Sequence, residues 1–129
     1  MQPIIEPNAK VEVRTLDSAE LARKAVDIAS DKLASDIVLL DLREVAVFAD
    51  YFVLLTGESR RQLGALRDDL TEALEREGAS LHHAEGNPDA GWVLLDFGDL
   101  VIHIFGPEER QFYGLDKLWA HAPELVRIQ

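Results

Sequence analysis

Residues 92–105 read WVLLDFGDLVIHIF. Two apolar runs are joined by Gly98-Asp99 alone, and two residues of that kind between such runs signal a tight β-hairpin. The turn sets the register. Phe97 falls opposite Leu100, Asp96 opposite Val101, Leu94 opposite His103, and Trp92 opposite Phe105. Side chains alternate across a strand, so Val93, Leu95, Phe97, Leu100, Ile102 and Ile104 share one face, which is wholly apolar and expected to be core. The other face carries Trp92, Leu94, Asp96, Val101, His103 and Phe105. Two readings of it stay open. Either a helix covers it and His103 is a satisfied core histidine, or its mixture of aromatic and polar groups is a surface of the kind that protein interface centres favour.

Working outward, Gly106-Pro107 permits a helix start, with Pro at the first position and Glu108 and Glu109 on the positive helix end. Arg110 and Tyr113 share one side of it, Phe112 lies on another, and Gly114 ends it. Leu115 and Leu118 are expected to pack under the sheet; Arg110, Tyr113 and Trp119 are the better interface candidates, because packing alone does not call for such amphipathic types near a chain end. Upstream, Asp17-Ser18-Ala19-Glu20 reads as a capping box opening a helix to about Leu33, and Ser59-Arg60-Arg61-Gln62 as another. Leu63, Leu66, Leu70 and Leu74 form one helical stripe, with Gly78 as its C-terminal stop. Ile37 to Leu40 and Tyr51 to Leu55 are apolar without alternation, as in strands covered on both faces. Leu81 to Ala84 is predicted as a short strand, and Glu85 to Asp89 as a loop. Strands mixed with helices imply one α/β domain with a mixed β-sheet and flanking helices. We place a loose arm at residues 1–16, where Val11 and Val13 could add an edge strand, the domain at 17–121, and a tail at 122–129.

The chain has 129 residues, no Cys, and 13 Lys+Arg against 24 Asp+Glu, a formal net charge of -11. That length suits one domain. The lack of Cys removes disulfides and thiolate chemistry, and fits a reducing compartment such as the cytoplasm. No apolar run reaches membrane-spanning length, and the N-terminus lacks a secretory pattern. The acidic balance disfavours direct nucleic-acid binding; it can steer toward a basic protein partner, although taken by itself it is read first as what keeps the protein in solution.

Catalytic patterns are weak. His82 and His83 are adjacent on a strand and point to opposite faces, so with Glu85 they do not make a ready metal site. Asp41, Asp50, Asp96 and Asp99 lie near strand ends, but no two have the spacing that puts a carboxylate pair on one strand face. Thr56-Gly57-Glu58-Ser59 is a strand-to-helix turn that could hold a phosphate, yet it carries a glutamate and has neither a Gly-rich run nor a Walker lysine. We expect no metal, no cofactor and no enzymatic activity.

The stretches ADYFVLLTGESRRQLGALRDDL (49–70) and GWVLLDFGDLVIHIFGPEERQFYGLDKLW (91–119) closely resemble the ribosomal silencing factor, or iojap-like, family. The matching features are the D-Y-F-V run, the T-G-x-S helix start, the W-V-L-x-D-x-G-D hairpin, the V-I-H-I-F strand and the E-x-R-x-x-Y-x-L-x-x-L-W tail. They are ordered and correctly spaced over roughly residues 17 to 120. The breaks at Gly106-Pro107 and Gly114 make this tail more interrupted than the family pattern. The resemblance implies a topology like that of nucleotidyltransferases without their carboxylate pattern, a homodimer when free, and binding to a basic protein of the large ribosomal subunit, protein fourteen. Occupying that surface would stop the small subunit from docking and lower translation under nutrient limitation. The positions carried over as partner or dimer contacts are Asp50, Tyr51, Trp92, Asp99, His103, Arg110, Tyr113 and Trp119. Two rivals remain: a nucleotidyltransferase-like enzyme using Ser59 and the acidic strand ends, and a dimeric scaffold with no ribosome role.

Overall fold

The computed structural model describes residues 16–129; the proposed arm, with Val11 and Val13, lies almost wholly outside them. In chain order the elements are α1 (Ser18–Asp31), β1 (Ser35–Asp41), β2 (Tyr51–Thr56), α2 (Arg60–Arg76), β3 (His83–Asn87), a 3-10 turn (Pro88–Ala90), β4 (Trp92–Asp96), β5 (Leu100–Phe105), α3 (Pro107–Tyr113), α4 (Leu115–Leu118) and β6 (Glu124–Ile128). The six strands form one sheet in the order β3-β4-β5-β2-β1-β6. All neighbours are antiparallel except β2 and β5, so the sheet is mixed, as expected of this α/β chain.

The hairpin has the derived register: Trp92 pairs with Phe105, Leu94 with His103 and Asp96 with Val101. Gly98, at φ 94, supplies the left-handed turn residue, and its amide donates to Asp96 Oδ1 at 2.7 Å. Asp99 ties this turn to β2, for its carbonyl accepts from the amides of Asp50 at 2.8 Å and Tyr51 at 3.0 Å. The apolar hairpin face meets Ala22, Ala25 and Val26 of α1 and Leu63, Leu66 and Leu70 of α2 in the main core. Full burial of each large aliphatic side chain there contributes about 1.5–3 kcal/mol.

Helix ends follow local rules. Asp17 and Glu20 make the reciprocal capping box. At α2 only half of it forms. Ser59 Oγ accepts from the Gln62 amide, but Gln62 Oε1 accepts from the Glu58 amide instead. The Gln62 side-chain Nε2 donates to the carbonyls of Lys32 and Leu33, which joins this helix start to the end of α1. Both long helices stop in a Schellman turn: Ala79 N donates to Leu74 O behind Gly78, and Ala34 N to Ala29 O behind Leu33. Leu33 holds the left-handed position, at φ 65, without being glycine.

Three expectations need correction. The strand after α2 is His83–Asn87 rather than residues 81–84, and all five of its residues are exposed. Among the described residues it is an edge strand held by β4 alone, so no apolar alternation marked it. Residues 122–129 are not a separate tail, because Glu124–Ile128 pairs with β1 as the opposite edge. Leu118 does not pack under the sheet but is largely exposed, since four residues of α4 turn only one side inward.

Candidate functional site: an aromatic strip on the sheet

Both long helices pack on one sheet face. The other face is covered over β1 and β2 by Leu42, Val45 and Ala46 of the β1–β2 loop and by Leu115, Trp119 and Ala122. Across it runs a continuous chain of rings. Phe48 meets Trp119 and Phe52, each with ring centres 5.9 Å apart. Phe52 meets His103 edge-on at 4.7 Å. His103 stacks with Trp92 at 6.0 Å, Trp92 meets Tyr113 at 4.4 Å, and Tyr113 meets Phe112 at 5.0 Å. The strip ends in exposed hydrophobic side chains: Phe48 is 58% and Phe112 81% exposed, and Val47 is fully so. Apolar side chains of this size mark an interaction surface when they gather in a patch, as Val47 and Phe48 do beside Trp119 and Phe112 does beside Tyr113.

The eight carried-over positions separate. Trp92, Tyr113 and Trp119 lie on the strip and are partly open to solvent. His103 lies beneath it, only 4% exposed. Among the described residues no long helix covers it; its aromatic neighbours do. Its Nδ1 accepts the Trp92 indole hydrogen at 3.3 Å, while Nε2 is buried with no hydrogen-bond partner among the described residues. It is therefore a half-satisfied core histidine rather than a contact. An unpartnered buried donor costs about 1–3 kcal/mol, and burial pushes the imidazole down to about 4, so the ring is neutral near pH 7.

Arg110 is not on the surface either. At 9% exposure it donates to Thr56 Oγ1 at 2.9 Å and grips Asp116 with two hydrogen bonds, of 2.7 and 2.9 Å. This pins the α3–α4 corner to the end of β2 and holds the Asp116 carboxyl below its ordinary range. Tyr51 is 3% exposed and sits in the main core, on the helix-covered face, with Arg43 over its ring. Asp50 and Asp99 lie where β2 and β5 begin, and the Asp50 carboxylate accepts from Ser18 Oγ. Reading the sequence missed Val47, Phe48 and Phe112. Their only signal was three large apolar residues in segments too short or polar to bury them.

At the C-terminal ends of the parallel pair β2 and β5 opens a crevice of about 530 Å³, lined by Gly57, Ser59, Arg60, Gly106, Pro107 and Glu109, among others. Glu109 fills its floor: a Cβ on Gly91 or Gly106 would overlap its carboxyl group. Arg60, the cation here, faces that same carboxylate at 3.9 Å. A phosphate entering would meet negative charge. Among the described residues no group of three or more His, Asp or Glu is placed to hold a metal ion, and no helix is long and apolar enough to cross a membrane.

The family model for ribosomal silencing factor during starvation, RsfS, matches residues 15–129. The chain belongs to the ribosomal silencing factor family. The ribosomal silencing factor RsfS of Halalkalibacterium halodurans is 36% identical over 108 residues, covering 84% of this chain and 92% of that one. A mouse protein named for mitochondrial assembly of the large ribosomal subunit is 33% identical over 97 residues, covering 73% of this chain and 42% of that one. A crystal structure of a Chromobacterium violaceum protein superposes with a TM-score of 0.78 at 30% identity, over 81% of this chain and 88% of that one. The first of these relatives carries a regulatory name and the second an assembly name, and the silencing-factor family has the mixed α/β fold described above.

Proposed function

We propose that this silencing factor works by docking rather than by chemistry. The aromatic strip seats on a basic protein of the large ribosomal subunit, protein fourteen being the partner that the family resemblance implies. The bound chain then stands where the small subunit would join, and translation falls under nutrient limitation. The single observation that carries this reading is the run of rings from Phe48 to Phe112, joined through the buried Phe52 and His103 and opening into exposed or half-exposed side chains at both ends and at Trp92, on the sheet face opposite the two long helices. The net charge of -11 supports a basic partner, and the carboxylate in the crevice weighs against nucleotide chemistry. A second copy covering the same apolar ends would account for a homodimer when the chain is free.

Sedimentation with purified large subunits, at low and high salt, tests it. Binding is expected and should weaken with salt. Phe112→Ala should weaken it about 30-fold, as loss of roughly 2 kcal/mol at an interface aromatic does, without moving the melting temperature. Full binding by a folded Phe112→Ala, Tyr113→Ala double variant would place the docking surface elsewhere. Sedimentation velocity of the free chain reads the dimer directly.

A further inference from the structure

His103 is buried, so a docked partner does not touch it, yet packing does not account for a histidine there. An indole N–H only donates, so the Nδ1 that accepts from Trp92 is the bare nitrogen, and in the neutral ring the hydrogen sits on Nε2. Among the described residues that Nε2 has no partner. A leucine or phenylalanine would occupy the same space between Phe52, Trp92 and Phe105 without stranding a polar atom. What neither could do is accept the Trp92 hydrogen. Trp92 needs such a restraint: it is half-buried, and its ring contacts with Tyr113 and Phe105 are not directional enough to choose between the two edges of the indole. We propose that His103 is a positioning residue of the docking face, its Nδ1 holding the nitrogen edge of Trp92 against β5 so that a partner protein meets one fixed edge of the indole. This rests on the docking reading above.

The test uses the full chain labelled with 15N, the variants His103→Leu and His103→Asn, and large ribosomal subunits. Asparagine places an oxygen close to where Nδ1 lies. In the unsubstituted chain His103 should show a bare Nδ1 and a protonated Nε2. The Trp92 indole hydrogen, assigned by its loss in Trp92→Phe, should exchange with water about tenfold faster in His103→Leu than in the unsubstituted chain. His103→Asn should restore the slow exchange. Binding to large subunits should follow the same order, weakened in His103→Leu and recovered in His103→Asn. A hydrogen on Nδ1, or unchanged indole exchange in His103→Leu, overturns the proposal. If His103→Leu does not fold, the ring's hydrogen placement in the unsubstituted chain still decides it. Failure of the unsubstituted chain to bind large subunits counts against the docking reading, whereas the two ring readouts bear on His103 alone.

Discussion

Lowering the pH from 7 to 5 should cost this chain about 2 kcal/mol of folding stability through His103 alone. Burial takes its imidazole from an ordinary 6.5 to about 4. The unfolded chain therefore takes up a proton in a range where the folded chain does not. The contribution is fully present above the unfolded value, shrinks as the pH falls, and is exhausted once the folded value is passed. Over the whole interval the difference is about 3 kcal/mol, and most of it is spent by pH 5. Against a total of roughly 5–15 kcal/mol for a domain, that is a large share. The carboxylates act lower. Asp116 is held down by its hydrogen bonds from Arg110 and Glu124 by those from Arg127, so what they contribute is lost only as the pH falls through and below the ordinary carboxylate range. Urea titrations of the unsubstituted chain and of His103→Asn, each at both pH values, isolate the histidine. The unsubstituted chain should lose about 2 kcal/mol more than the variant. Equal losses would mean that His103 is hydrated or partnered in the folded chain, and the account of its burial would fall.

Ile102 is fully buried on the helix-covered face, and Ile102→Ala should cost roughly 2–5 kcal/mol by denaturant melt. Leu33 occupies a left-handed position at φ 65 while 81% exposed. Leu33→Gly should thus stabilise by about 1 kcal/mol, and a drop in melting temperature would show that Leu33 contributes packing. Arg110→Met should cost about 2–3 kcal/mol through its lost charged hydrogen bonds and return the Asp116 carboxyl toward its ordinary range, read by carbon NMR. A variant that keeps its stability but loses ribosome binding would restore Arg110 as a surface contact.

The hairpin was legible in full because everything that sets it is local: two turn residues fix the register, and alternation then assigns every face from Trp92 to Phe105. The helix caps at Asp17, Gly78 and Gly114 were legible for the same reason, each being a contest among backbone groups within one turn of chain. Family membership was legible too, from motifs spaced along the chain. The edge strands were not. β3 is exposed at every residue and β6 at all but Val126, which leaves no period to read. Tertiary structure alone decided which sheet face the long helices would take, and so sent Tyr51 into the core while its neighbour Phe52 joined the aromatic strip. It alone buried Arg110, whose partner Thr56 lies 54 residues away in sequence, and closed His103 under Phe52 and Trp92 with one nitrogen used and one stranded. Alternation along a strand says which side chains share a face, but not what covers it. Covering is a contact between distant segments, and its energy depends on shapes and partners that exist only once the sheet has closed.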